Sequence, residues 1–115
     1  MSDTHALVPT QRPARYGKQL VNHLGRKQGG EWDESSNTGW VVLGDGRLEA
    51  SVANEFLDLQ LTAPEADLAR LEDVVGRHLV RFGARDELVC AWTRADGSEG
   101  TTQTAPSESD ESAHA

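Results

Sequence analysis

The fold is decided between residues 47 and 82, RLEASVANEFLDLQLTAPEADLARLEDVVGRHLVRF. Its first half alternates. Leu48, Ala50 and Val52 share one side of an extended chain, as do Leu57, Leu59 and Leu61, with Glu49, Ser51, Asp58 and Gln60 opposite. A period of two marks strands that are wet on one side. Asn54 and Glu55 supply turn chemistry between residues 47–53 and 56–62, so these strands form a hairpin. The period then changes: Leu68, Leu71, Val75, Leu79 and Phe82 recur at intervals of three and four, the stripe of an amphipathic helix. Thr62 and Glu65 read as a capping box, Pro64 suits the first turn, and Gly83 marks the end.

Outward from this unit, the apolar run 40–43 reads as a strand joined through Gly44, Asp45 and Gly46, with a weaker strand at 31–34 before it. Residues 4–9, closed by Pro9, read as an edge strand. A helix follows from Pro13. At about 100° per residue, Tyr16, Leu20, Val21 and Leu24 fall on one side and Arg12, Arg15, Gln19 and Arg26 on another, with Gly25, Gly29 and Gly30 as stops. In residues 87–93, Leu88, Cys90 and Trp92 oppose Val89 and Ala91; two apolar faces predict a central final strand. The order is β-α-β-β-β-β-α-β. Two helices separated by a hairpin sheet bury their stripes together only on one face of it. The expected fold is therefore an α+β two-layer sandwich, a mostly antiparallel sheet of five or six strands with two helices on one face.

The 115 residues suit one domain, placed at 1–94, and no apolar run approaches the roughly 18 to 20 residues of a membrane span. The opening residues lack the basic start and apolar block of a secretory signal, so the expected location is cytoplasmic. Charge is uneven within the net −8. Residues 95–115 hold five acids and no Lys or Arg among Ser, Thr, Gly and Ala, which predicts a disordered acidic tail. That tail serves solubility or shields a basic surface in cis. Residues 12–94 carry 13 acids against 11 bases, close to neutrality, yet Arg12, Arg15, Lys18, Arg26 and Lys27 occur in a stretch with His23 and no acid. A nearly neutral domain with an acidic tail argues against nucleic acid as a partner.

Candidate chemistry is sparse. His78 falls on the apolar side of the long helix, one turn from Arg81, and His23 sits at the margin between the apolar and basic sides of the first helix. If those helices lie side by side, both imidazoles face one crevice. A histidine so placed more often bonds a backbone carbonyl or carboxylate than a metal. Metal-ligand spacings are missing, and no cofactor is implied. Cys90, alone in an apolar strand, reads as an inert buried thiol. Tyr16 is expected to pack on the sheet with its hydroxyl at the surface beside Lys18 and Arg12. Glu72 and Asp73 point about 100° apart and make no dyad. With no nucleophile elbow or phosphate loop either, an enzyme is the least favoured reading. Trp32 and Trp40 read as core or interface residues, and Trp32, if exposed beside Gly29 and Gly30, would wall a pocket.

Two stretches carry a resemblance. Arg12-Pro13-Ala14-Arg15-Tyr16 with Lys18-Gln19-Leu20 and His23, and later Leu71, Val74-Val75, His78-Leu79, Arg81-Phe82, Arg85, Glu87-Leu88 and Trp92, resemble the bacterial family catalogued as domain of unknown function 2218. The similarity spans residues 4–93; Gly17, Gly29 and Gly30 stand where longer side chains are usual. Members occur alone or beside siderophore-interacting flavin reductases, so the resemblance implies a link to iron acquisition. The expected function is a non-catalytic binding or accessory domain in iron or siderophore handling, its ligand a ferric siderophore or other small anion. The expected site is Arg12, Arg15, Tyr16, Lys18, Gln19, His23 and Arg26 on the first helix with His78 and Arg81 on the second, because guanidinium forks suit planar oxyanions. The alternative is an interaction module that docks on a flavin reductase or on itself through an exposed sheet face.

Overall fold

Strands form where alternation predicts them and in one place where it does not. The computed structural model describes residues 1–104 as β1 (Ser2–Pro9), α1 (Pro13–Gln28), β2 (Gly30–Asp33), β3 (Thr38–Leu43), β4 (Gly46–Ala53), β5 (Phe56–Ala63), α2 (Glu65–Phe82), β6 (Val89–Arg94) and β7 (Glu99–Thr104). The strands form one sheet in the order β2-β3-β4-β5-β1-β6-β7, with every neighbouring pair antiparallel. Both helices lie on the same face. α1 rests on β2, β3 and β4, α2 on β7 and the middle strands, and the two helices touch each other.

The inward side chains follow from register. Leu48 opposes Leu61, which opposes Thr4; Ala50 opposes Leu59, which opposes Ala6 and then Trp92. These rows are buried beneath Leu20 and Val21 of α1 and Leu68, Leu71, Val75 and Leu79 of α2. At about 1.5–3 kcal/mol for each fully buried aliphatic side chain, the two stripes bind the helices to one blanket of strands. Gly17 has a direct use here. A Cβ on it would lie 2.7 Å from the Trp32 ring, so its bare backbone lets that indole pack between α1 and the sheet. Trp32 is therefore half-buried, packed against the core while also lining a concavity at the β2–β3 edge.

Four local expectations need correction. The disordered tail expected from residue 95 does not start there, because Glu99–Thr104 pairs with β6 as a seventh strand. Its turn, with Arg94 and Ser98 hydrogen-bonded and Gly97 at φ 88°, is a hairpin connection; the remainder, 105–115, lies outside the described residues. β1 is interior and not an edge. β6 pairs with Thr4, His5 and Ala6 only, so Pro9 lies past the end of that ladder and its missing N–H costs nothing there. No capping box forms: Thr62 Oγ1 donates to Asp3 Oδ1 at 2.6 Å, and α2 starts behind Pro64. β6 is interior, but Val89 and Ala91 face solvent. Their side of the sheet is uncovered.

Candidate functional site

Two polar clusters sit on the helix side of the sheet. The first surrounds Glu72, which the helical stripe carries inward one turn after Leu68. Its carboxylate is fully buried and accepts from Thr4 Oγ1 at 2.7 Å, the Thr101 amide at 3.0 Å, Thr101 Oγ1 at 3.1 Å and the Arg94 guanidinium at 3.4 Å. Gln103 extends the chain of bonds, donating to Thr101 Oγ1 at 2.7 Å and accepting from Trp92 Nε1 at 2.8 Å. Burial pushes the Glu72 carboxyl up, but the bonds from Thr4, Thr101 and Arg94 together outweigh it and hold its pKa below the usual value. Among the described residues no buried side-chain polar atom lacks a partner. A carboxylate with every lone pair engaged is a strut, since nothing is left over for a substrate.

The second cluster lies in the seam between α1 and α2. The His23 and His78 rings are 4.9 Å apart, tilted by 42°, and the edge of Phe82 closes on His23 at 5.4 Å. His78 Nδ1 lies 2.7 Å from the Val74 carbonyl. A carbonyl only accepts, so Nδ1 carries the proton and Nε2 is the free nitrogen. Burial, together with the nearby His78 ring and Arg26, pushes the His23 pKa down. Beside the pair opens a cleft of about 320 Å³ floored by Leu24, Leu43, Leu71 and Val74 and rimmed by Lys27, Gln28 and Arg70. No carboxylate of the described residues lines it. Among the described residues its formal charges are all cationic, the setting in which an oxyanion gains most from a fork or ammonium.

The expected site residues scatter around this seam. His23 and His78 meet, and Arg26 stands close enough to lower His23. Arg15, Gln19 and Arg81 are exposed and do not line the cleft. Arg12, also exposed, lies at the other end of α1 beside Asp86 and Phe56. Tyr16 is buried, and its hydroxyl donates to Asp86 Oδ2 at 2.5 Å instead of reaching the surface beside Lys18. That bond foremost, then burial, raises the phenol pKa. Lys18 points the other way and pairs with Glu34. Sequence reasoning missed Lys27 and Arg70, which their helical positions place at the rim. It also missed Glu72, whose signal was a carboxylate on the apolar stripe.

A larger concavity, about 1050 Å³, lies around the β2–β3 edge and takes in Trp32 and Trp40. Much of its charge is already matched: Lys18 pairs with Glu34, and Arg47 stacks 4.9 Å over Trp40 and meets Glu49 at 3.4 Å. Cys90 is fully buried with its thiol pushed up to about 12 by burial, which suits an inert role. Among the described residues no group of three metal-ligating side chains converges, and no helix is long and apolar enough to cross a membrane.

A seven-stranded antiparallel sheet with two helices on one face, and a cation-rimmed cleft between those helices, defines the class: a small α+β sandwich with a helix-side crevice. The chain belongs to the family described as an uncharacterized protein conserved in bacteria, DUF2218, whose model matches residues 5–93. It is also similar to the NMR structure of PA4090 from Pseudomonas aeruginosa, with 29% identity and a TM-score of 0.65 over 81% of this chain and 96% of that one. No curated protein matches the chain.

Proposed function

We propose that this protein is a non-catalytic binding or accessory domain of the cytoplasm that holds a small oxyanion in the seam between α1 and α2, and that its role lies in iron or siderophore handling. The observation that carries the reading is the cleft itself: Lys27 and Arg70 at the rim, His23 and His78 in the wall, and no carboxylate of the described residues in the lining. A carboxylate- or catecholate-bearing ferric siderophore presents the planar oxyanions such a rim accepts. The iron assignment rests on the family resemblance, the anion assignment on the geometry. Calorimetric titration of the full chain with a ferric tris(catecholate) and with ferric citrate tests both. Binding weakened roughly tenfold or more by Lys27→Glu with Arg70→Glu supports the reading; unchanged affinity, or no binding of either complex, overturns it.

One observation favours a second reading, an interaction module for a flavin reductase or for self-association. On the uncovered sheet face Leu7, Phe56 and Val89 are 48%, 38% and 43% exposed, and Phe56 sits opposite Pro9 of β1. Solution mass measured over a concentration series, alone and with a flavin reductase, decides it: one monomer mass throughout counts against the module.

A further inference from the structure

The two imidazoles stand together at the cationic rim of the cleft. From α1 the charged neighbours are Arg26 and Lys27. From α2 they are Arg70, whose guanidinium is 3.5 Å from Asp67, and Arg81 one turn beyond His78. Arg77 is held at 2.8 Å by Asp73. β3 presents Val42 and Leu43, and the turn after it Gly44, none of which titrates. Neither imidazole has a carboxylate within 4 Å among the described residues, in contrast to His5, whose Nε2 meets Asp58 at 2.7 Å on the opposite face of the sheet. The empty pair thus lacks a counter-charge, and at His23 desolvation, the His78 ring and Arg26 lower the pKa. A bound oxyanion reverses that balance, because it supplies the missing counter-charge at the spot where an imidazolium would sit.

We infer that the seam is a proton-coupled oxyanion site: the anion enters together with about one proton, which lodges on the His23–His78 pair and turns the free Nε2 of His78 into a donor. The inference rests on the anion reading above and adds the protonation step to it. Proton balance is simple, since the solvent supplies the proton on binding and recovers it on release. By linkage, each proton taken up makes affinity fall about tenfold per pH unit as pH rises above the titration of the empty pair. A ligand would be held under mildly acidic conditions and released as the medium turns alkaline. Lys27 and Arg70 set the strength of binding, and the imidazoles set its pH dependence.

Sulfate is the probe, because it stays a dianion between about pH 5.5 and 8 and contributes no protons of its own. Calorimetry of the full chain in two buffers of different ionisation enthalpy reads the number of protons taken up per sulfate. The expected result is about one proton above pH 7, falling toward zero in His23→Gln with His78→Gln. Lys27→Gln with Arg70→Gln is expected to weaken binding roughly tenfold at every pH with the proton number unchanged. Circular dichroism and a urea melt establish that both double variants are folded. Should the histidine variant not fold, imidazole proton NMR of the parent chain, following both rings with and without sulfate, reads the same protonation. Sulfate binding with no proton uptake and no pH dependence overturns the coupling but leaves the anion reading standing. Proton uptake that persists without both histidines also overturns the coupling. No sulfate binding at any pH from 5.5 to 8 overturns both.

Discussion

Glu72 and His78 lie on the same helix, less than two turns apart in sequence, yet the Glu72 network and the His23–His78 seam have opposite characters. Glu72 is fully buried and takes bonds from three strands: Thr4 of β1, Arg94 of β6 and Thr101 of β7. His78 is half-buried and bonded only to its own helix, and His23 is bonded to nothing among the described residues. Satisfaction is what separates them. A buried charge whose partners are complete joins elements together, and removing it leaves those partners stranded. The imidazole pair, with cations around it and no carboxylate partner among the described residues, makes no hydrogen bond between elements, so it is free to serve a ligand.

The largest expected effect comes from breaking the strut. Glu72→Ala should lower the free energy of unfolding by about 3 kcal/mol, because it removes the acceptor of the buried Thr4 hydroxyl, of the Thr101 amide and hydroxyl and of the partly exposed Arg94 guanidinium; urea denaturation measures it. If the contrast holds, His23→Gln and His78→Gln should each cost less than about 1 kcal/mol in the same assay.

Acid sharpens the comparison next. The Glu72 carboxyl ionises more readily folded than unfolded, so its contribution is fully present above the ordinary value of 4.5 and is lost as pH falls through the lowered one. Urea midpoints measured from about pH 7 down to pH 3 should show Glu72→Gln losing less stability across that window than the parent chain does.

A smaller loss, about 1 kcal/mol, is expected for Tyr16→Phe, which removes the bond to Asp86 that ties α1 to the segment after α2. The smallest is expected for Lys27→Gln with Arg70→Gln. Both side chains are exposed and Arg70 has only a neighbour on its own helix, so stability should stay within about 0.5 kcal/mol while anion binding weakens. A stability loss above 2 kcal/mol there would move the rim from the ligand side of the contrast to the structural one.

These differences also mark what the sequence could tell. Leu68, Leu71, Val75 and Leu79 announce α2 because burial of aliphatic area is periodic, and the 48–52 and 57–61 alternations announce β4 and β5 for the same reason. β7 is silent by that rule. Its inward residues are Thr101 and Gln103, which face Glu72 and Trp92 through hydrogen bonds, and bond partners leave no periodicity. β1 misleads because Pro9 signals an edge, whereas the ladder it would interrupt ends before it. The meeting of His23 with His78 was legible as a conditional: it required the helices to share a face, and that followed from counting stripes against one sheet. Lys27 and Arg70 were not singled out, because nothing in a run of basic residues says which will overlook a crevice and which, like Lys18, will turn to a carboxylate in the β2–β3 turn.

The most direct measurement is the pair of imidazole Hε1 NMR titrations of His23 and His78 in the full chain, with and without sulfate, with His5 on the opposite face as the internal control. The account expects both seam resonances to move to higher pH together when sulfate is added while His5 stays in place. Seam histidines that titrate identically with and without the anion, even as resonances elsewhere shift, would contradict it.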